Sequence, residues 1–232
     1  MKNLRDALMV MSMLMAMSCS QGSVESEAVR TAEGKLFIIG GGKRPAPMIE
    51  RLIGEAGLKE GGYGIILPMS SSEPDSSIFY AKIQFQEAGL QNVAGMNLSV
   101  RKPGTQQLDS IRSADLIYIS GGDQNRFMKT IEGTKVAESI HEAWQSGCVI
   151  AGTSAGAAVM SDVMITGDEK NYPEYSNTLR NIEPDNVITT QGLGLITRAV
   201  IDQHFIKRAR YNRLISVILD HPGLMGIGID EA

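Results

Sequence analysis

The chain has 232 residues, 43% of them hydrophobic and 21% charged, with a formal net charge of −4. That length fits one α/β domain, and the composition excludes a disordered polyelectrolyte. A small negative charge with no large basic block also excludes an electrostatic footprint for nucleic acid.

Residues 1–18 read as a signal peptide. Lys2 and Arg5 precede an apolar run from Ala7 to Met17 that is too short to span a bilayer as a helix. The run ends Ala16-Met17-Ser18-Cys19, similar to a bacterial lipobox, so Cys19 is the expected lipidation site. Export to the periplasm or outer membrane, or beyond it, with membrane attachment through lipidated Cys19, follows. Cleavage by an ordinary signal peptidase near the same point is the alternative. Residues 19–33 are polar and small and read as a flexible tether; residues 34–232 read as the α/β domain. Cys148 lies in an apolar run and reads as a buried small hydrophobe. With Cys19 processed, no internal disulfide is available.

The domain opens with a buried strand, Lys35–Ile39, closed by Gly40-Gly41-Gly42. A helix follows from Pro45 to Ala56, with proline tolerated in its first turn. Tyr63–Pro68 is a second strand, Ser76–Ala88 a helix with Ile78, Phe79, Ile83 and Phe85 as apolar contacts, and Val93–Leu98 a third strand. Thr105–Ala114 fits a short helix and Asp115–Ile119 a fourth strand, closed by Ser120-Gly121-Gly122-Asp123. Helices are expected over Gln124–Ile131 and Lys135–Ser146. Residues Asp168–Asp185 are polar and contain proline, and read as a loop. Strands and helices alternating through short glycine-rich connections imply βαβ units and a largely parallel sheet. In such sheets the ligand site lies off the carboxyl ends of the strands. Gly40–Gly42, Pro68–Ser72, Ser120–Gln124 and Ser154 all fall at such ends. Gly40-Gly41-Gly42-Lys43 lacks the spacing and hydroxyl of a phosphate-binding P-loop, and no metal-ligand spacing such as H-E-x-x-H is present, so no cofactor is expected.

The most specific stretch is Gly152-Thr153-Ser154-Ala155-Gly156, between the apolar run Cys148–Ala151 and a helix start at Ala157–Met160. Strand, sharp turn and helix are the context in which G-x-S-x-G becomes a nucleophile elbow. Ser154 is the candidate nucleophile, and the Ala155 N–H stands where half of an oxyanion hole would be. A serine hydroxyl needs a base and an orienting acid. Of three histidines, His141 reads as a surface residue and His221 as the end of a helix. His204 follows the apolar run Ala199–Ile201 and is placed at a strand end, opening a helix, so it is the best base. Two carboxylates compete for the acid. Asp202 shares a strand face with His204; Glu231 follows the final strand, Met225–Ile229, although its position alone suggests an exposed charge. An α/β-hydrolase order of Ser154, Asp202 and His221, giving an esterase, is the rival assignment.

Taken together, these pieces resemble the cyanophycinase branch of serine peptidase family S51. The matching segments are Gly40-Gly41-Gly42, Ser120-Gly121-Gly122-Asp123-Gln124, Gly152–Ala157, Asp202-Gln203-His204-Phe205 with Arg208, Arg210 and Arg213, and Gly226–Glu231, in family order. The resemblance implies a class I glutamine-amidotransferase-like fold: a three-layer, doubly wound, mostly parallel sheet of flavodoxin-like type, as a homodimer. It implies a triad of Ser154, His204 and Glu231, and hydrolysis of aspartyl peptide bonds with release of β-aspartyl-arginine dipeptides. With it go an oxyanion hole from Ala155 and the Gly122-Asp123 loop, and substrate contacts from Gln124, Asp202, Gln203, Arg208, Arg210 and Arg213. Without it, the three arginines read as a solvated helix face. Against the family pattern the domain looks truncated, since the chain stops one residue after Glu231. A surface lipoprotein with a decayed triad is therefore a further reading. The export signal points to a peptide substrate met outside the cytosol: scavenged cyanophycin or another aspartyl peptide.

Overall fold

The computed structural model describes residues 34–232 apart from Arg101 and Tyr175. The expected signal peptide, lipobox with Cys19 and tether lie outside the described residues. Among the described residues, no helix is long and apolar enough to cross a membrane.

The centre is a five-stranded parallel sheet in the order β3-β2-β4-β5-β1. Its strands are β1 (Lys35–Ile39), β2 (Gly64–Leu67), β3 (Val93–Gly95), β4 (Leu116–Ile119) and β5 (Val149–Thr153). β1 begins and ends where the apolar run predicts, whereas β3 is shorter than expected, stopping at Gly95. Side chains alternate across a strand, and here both faces are buried. Ile65, Leu67, Ile117, Ile119 and Ile150 join one core with Ile111, Phe127, Ile131, Val136 and Ile140. Ile66, Leu116, Tyr118, Val149 and Ala151 join the opposite core with Ile49, Leu52, Ile53 and Phe85. Sheet residues buried on both sides read as continuous apolar runs, which is why these strands were visible without alternation.

Two helices cover the second of those faces: α1 (Ala46–Glu55) and α2 (Pro74–Glu87). Ile49, Leu52 and Ile53 form the inward stripe of α1. α2 starts two residues before the expected Ser76, with Pro74 in its first turn, where the missing N–H costs nothing. Phe79 is not one of its core contacts: it is exposed, and stacks edge-to-face on Tyr80 at 5.4 Å. The other face is covered by α3 (Thr105–Arg112), α4 (Gln124–Ile131) and α5 (Val136–Gln145). The result is the three-layer α/β arrangement.

Beyond β5 come α6 (Ala155–Ala158), β6 (Val163–Glu169), β7 (Val187–Gln191), β8 (Ala199–Gln203), α7 (Tyr211–Asp220) and β9 (Met225–Ile229). β6 and β7 form an antiparallel pair with an irregularity between Ile165 and Glu169, and β8 pairs with β9 in parallel. The β6–β7 pair was not anticipated; Thr166-Gly167-Asp168-Glu169 is too polar to look like a strand. The described residues of the segment between them form no helix or strand, as its composition suggests. It is nevertheless anchored on α7, with Asn212 Nδ2 donating to Leu179 O at 3.0 Å and the Glu183 N–H to Ser216 Oγ at 3.0 Å.

Register places the site. Ile39 lies opposite Thr153, and Ile119 lies opposite both Gly152 and Leu67. Four strands therefore end level, and the glycine turn, the Pro68–Ser72 loop, the Ser120–Asp123 loop and Ser154 emerge along one edge. Gln203 and Ile229 end level in the same way, presenting His204 and Asp230-Glu231 together.

Candidate active site

At Ser154 the backbone turns from β5 into α6 with φ 54° and ψ −113°. A non-glycine residue held there costs about 1–3 kcal/mol, a strain typical of functional sites. The flanking glycines allow it. A Cβ on Gly152 would overlap the carbonyl of Gly156, and a Cβ on Gly156 would overlap the carbonyl of Ile119. The turn is fixed by the Ser154 N–H donating to Ile39 O at 2.9 Å and by Ser154 O accepting from the Ala157 N–H at 2.9 Å. The helix expected from Ala157 begins at Ala155 and lasts a single turn.

The structure brings Ser154, His204 and Glu231 into one hydrogen-bonded chain. Ser154 Oγ lies 2.8 Å from His204 Nε2, and His204 Nδ1 lies 2.7 Å from Glu231 Oε1. A carboxylate on Nδ1 selects the tautomer with the proton on Nδ1, leaving Nε2 free to accept from the serine. His204 does not open a helix. It has φ 49° and leads into a turn over residues 205–210, and α7 begins at Tyr211. Burial pushes the imidazole pKa below its ordinary 6.5; the Glu231 hydrogen bond pulls it up, and the cations Arg208 and Arg210 push it down further.

The glycine turn after β1 makes this packing possible. A Cβ on Gly41, at φ +136°, would overlap the His204 ring, and one on Gly42 would come within 2.9 Å of Glu231 Cβ. Three successive carbonyls at this point hold the site in place. Ile39 O accepts from Ser154 N at 2.9 Å, Gly40 O from His204 N at 3.0 Å, and Gly41 O from Ala232 N at 3.0 Å. Glu231 is thereby held from the residue after it, and from the residue before it, since Asp230 Oδ1 accepts from the N–H groups of Ile206 and Lys207.

The oxyanion expectation divides. Gly121 packs beside Ser154, where a Cβ would stand 3.4 Å from Ser154 Cβ, and Gly122 follows at φ +141°. Among the described residues, no protein acceptor takes up the N–H of Ala155 or of Gly122. Asp123 differs from expectation: its N–H donates to Ser70 O at 2.8 Å. Its carboxylate caps α4, accepting from Asn125 N at 2.8 Å and Arg126 N at 3.2 Å. Asp123 is therefore a helix cap, and Gly122 is the residue of that loop with a donor to offer.

The six residues expected to touch substrate are mostly engaged with one another. Asp202 is 1% exposed and is gripped bidentately by Arg213, itself 2% exposed, through Nη2 and through Nε at 2.9 Å. Arg210, also 2% exposed, donates to Gln203 O at 2.8 Å and to the Gln203 side chain. The Gln124 amide donates to Ile165 O at 2.9 Å and Thr166 O at 2.6 Å, tying α4 to β6. The picture of a solvated helix face is thus corrected for Arg210 and Arg213, because each has found a partner on β8. Of the three arginines, Arg208 alone is partly exposed. Removing one member of a buried, hydrogen-bonded ion pair leaves an uncompensated charge and costs about 3–5 kcal/mol. Arg213→Met is therefore expected to lower the melting temperature by roughly 6–20 °C; an unchanged thermal melt would contradict the pairing.

The rival assignment is not assembled. Asp202 is committed to Arg213, and the His221 ring, at the end of α7, lies 3.4 Å from Thr189 Oγ1. His141 is not a plain surface residue either: Nε2 lies 2.5 Å from Leu193 O. Cys148 is buried in β5's approach, and burial pushes its thiol up to about 12, so it is inert at neutral pH. Among the described residues, no group of three or more His, Cys, Asp or Glu could hold a metal ion.

Comparison with known proteins gives the family. The sequence profile of Peptidase family S51 matches residues 36–232. The chain belongs to peptidase family S51. A cyanophycinase from Trichormus variabilis is 34% identical over 218 residues, covering 90% of this chain and 69% of the relative. Another, from Synechococcus elongatus, is 32% identical over 206 residues, covering 86% of this chain and 61% of the relative. Among solved structures, a peptidase from an acI-B1 Actinobacterium superposes with TM-score 0.62 at 26% identity, covering 87% of this chain and 82% of that one. A putative peptidase E protein from Listeria monocytogenes EGD-e shares the fold, with TM-score 0.60 at 18% identity, covering 85% of this chain and 90% of that one. Membership in family S51 makes this chain a serine-type peptidase with a class I glutamine-amidotransferase-like fold.

Proposed function

We propose that the chain is a cyanophycinase-type exopeptidase that hydrolyses aspartyl peptide bonds through an acyl-enzyme, releasing β-aspartyl-arginine dipeptides. The observation that carries the mechanism is the unbroken chain from Ser154 Oγ through His204 to Glu231, at 2.8 and 2.7 Å. Ser154 Oγ attacks the scissile carbonyl carbon as His204 Nε2 takes its proton. The carbonyl oxygen becomes an oxyanion between the N–H groups of Ala155 and Gly122; each such donor is worth about 3 kcal/mol in the transition state. Collapse breaks the C–N bond, and His204 returns the proton to the leaving amine. Water, deprotonated by His204, then attacks the acyl-enzyme and frees the aspartyl carboxylate and Ser154. Glu231 keeps the imidazole oriented and stabilises its charged form throughout.

The substrate class is supported by the 34% identity to a cyanophycinase and by the charged lining around His204. Arg208 is the partly exposed guanidinium on the His204 turn, suited to a substrate carboxylate. The buried Asp202–Arg213 and Gln203–Arg210 pairs tie the residues that follow it to β8. Attachment through Cys19 would place this activity on external peptides, and a homodimer is the expected assembly. The test is product analysis: purified protein given cyanophycin should release β-aspartyl-arginine faster than it cleaves α-linked aspartyl dipeptides. Equal or preferential cleavage of the α-linked peptides would move the substrate assignment elsewhere in the family.

The pH dependence follows from His204. A general base must be neutral in the free enzyme, and burial with two nearby arginines holds this imidazole below 6.5. The acid limb of kcat/KM is therefore expected to be centred below pH 6.5. The same depression means that the unfolded chain takes up the proton first. Stability from this group is full above pH 6.5 and is lost as pH falls through the folded-state value. An acid limb centred above 6.5 would contradict the assignment.

A further inference from the structure

Asp230 has no role in the triad, yet it makes the contacts of a structural clamp. Its carboxylate does not bond the imidazole; Oδ1 instead accepts from Ile206 N at 3.0 Å and Lys207 N at 2.9 Å. These are early N–H groups of the turn that follows His204. The turn's internal bonds run from Arg208 N to His204 O, Ala209 N to Ile206 O and Arg210 N to Phe205 O, at 2.9–3.0 Å. None of them uses the N–H of Ile206 or Lys207. As at the start of a helix, such donors need an acceptor from outside the turn. The neighbouring Phe205 N–H goes to Ile229 O at 3.2 Å, so three consecutive donors point at the end of β9. The turn also carries two left-handed residues, His204 at φ 49° and Ala209 at φ 45°. Such a conformation persists only where its surroundings over-determine it.

We propose that Asp230 is a positioning residue: its carboxylate clamps the His204 turn to the strand end that carries Glu231, and so holds the imidazole in line between Glu231 and Ser154. The inference rests on the Ser154–His204–Glu231 reading of the site. Asp230 also packs on the glycine turn, since a Cβ on Gly40 would overlap the Asp230 carbonyl. One residue therefore touches the strand end of the acid, the turn of the base and the end of β1. The Lys207 N–H, with those of Glu231 and Ile206, holds the Asp230 carboxyl below the usual range, so the acceptor stays ionised where the enzyme works.

The experiment compares the parent protein with Asp230→Ala and Asp230→Asn. Misplacing a reacting group by about 1 Å costs about 10²-fold. Asp230→Ala is therefore expected to lose that factor in kcat on aspartyl peptides with KM unchanged, and to react more slowly with a fluorophosphonate at Ser154. Asp230→Asn keeps an oxygen that accepts both N–H groups and should recover most of the loss. An Ala variant as fast as the parent, or an Asn variant as slow as Ala, would overturn the clamp. Should Asp230→Ala not fold, Asp230→Ser takes its place; its shorter hydroxyl cannot span both donors, and full activity in that variant counts against the proposal. A parent protein that fails to label at Ser154 would sink the serine mechanism instead. The clamp is then read from proton NMR. The His204 Nδ1 proton should be sharp and downfield in the parent and Asn variant and exchange-broadened in the Ala variant, and a sharp signal in Ala refutes the clamp.

Discussion

Ser154→Ala is expected to lower kcat by about 10⁶-fold while leaving the melting temperature and circular dichroism unchanged. The magnitude follows from removing the nucleophile of a serine–histidine–acid unit, whose members act as one device; the binding groups and oxyanion donors that remain still give roughly 10³–10⁴-fold over water. Folding should survive, because what holds this turn is backbone: Ser154 N to Ile39 O at 2.9 Å and Ala157 N to Ser154 O at 2.9 Å. Alanine keeps those bonds and loses only the Oγ that meets His204 Nε2. Turnover near the parent rate in pure Ser154→Ala would remove the nucleophile assignment. The same variant should resist fluorophosphonate labelling, which separates a working peptidase from an inert lipoprotein scaffold.

Gly41→Ala should lower kcat by about 10²-fold, although position 41 carries no side chain. A methyl group there would stand 2.6 Å from His204 Nε2 and overlap the ring carbon between the two nitrogens. The ring is tethered at Nε2 and at Nδ1, so it has no neutral direction in which to retreat. A displacement of about 1 Å is needed to reach ordinary contact, and such a shift costs about 10²-fold in rate. The backbone adds to the penalty, since φ +136° at position 41 is a conformation that alanine resists. The expected signature is a fall in kcat with a smaller change in KM. A Gly41→Ala enzyme with parental kcat would show that the imidazole does not occupy this place during turnover.

How much of this was legible beforehand depended on the kind of contact. β1, β2, β4 and β5 are apolar runs closed by glycine or proline, and two-sided burial makes that pattern unmistakable. The elbow was visible because both of its glycines answer a local steric need. The β6–β7 pair was hidden by the polar stretch Thr166–Glu169, whose strand pairing is decided by Val187 and its neighbours far along the chain. The arginines misled for a related reason. Charges at helical spacing suggest solvent, and nothing near Arg213 in sequence announces that Asp202, across the β8–α7 turn, will grip it. Asp123 looked free to serve an oxyanion until Ser70, from another loop, took its N–H. Asp230 gave no signal at all: beside Glu231 it is one more terminal carboxylate, and only the course of the His204 turn shows what it binds. Glu231 was a candidate because it follows the last strand, but its position alone argued for solvent, and the family resemblance was the reason to choose it over Asp202.

One last consequence belongs to the carbonyls of Ile39, Gly40 and Gly41, which receive the amides of Ser154, His204 and Ala232. Nucleophile and base are each located from the same short strand rather than from one another. Insertions or deletions in the loop between β6 and β7 can therefore be absorbed, with the reacting atoms still correctly spaced. A one-residue slip of β1 has the opposite effect: it would misalign every member of the site at once, however well the rest of the molecule remained folded.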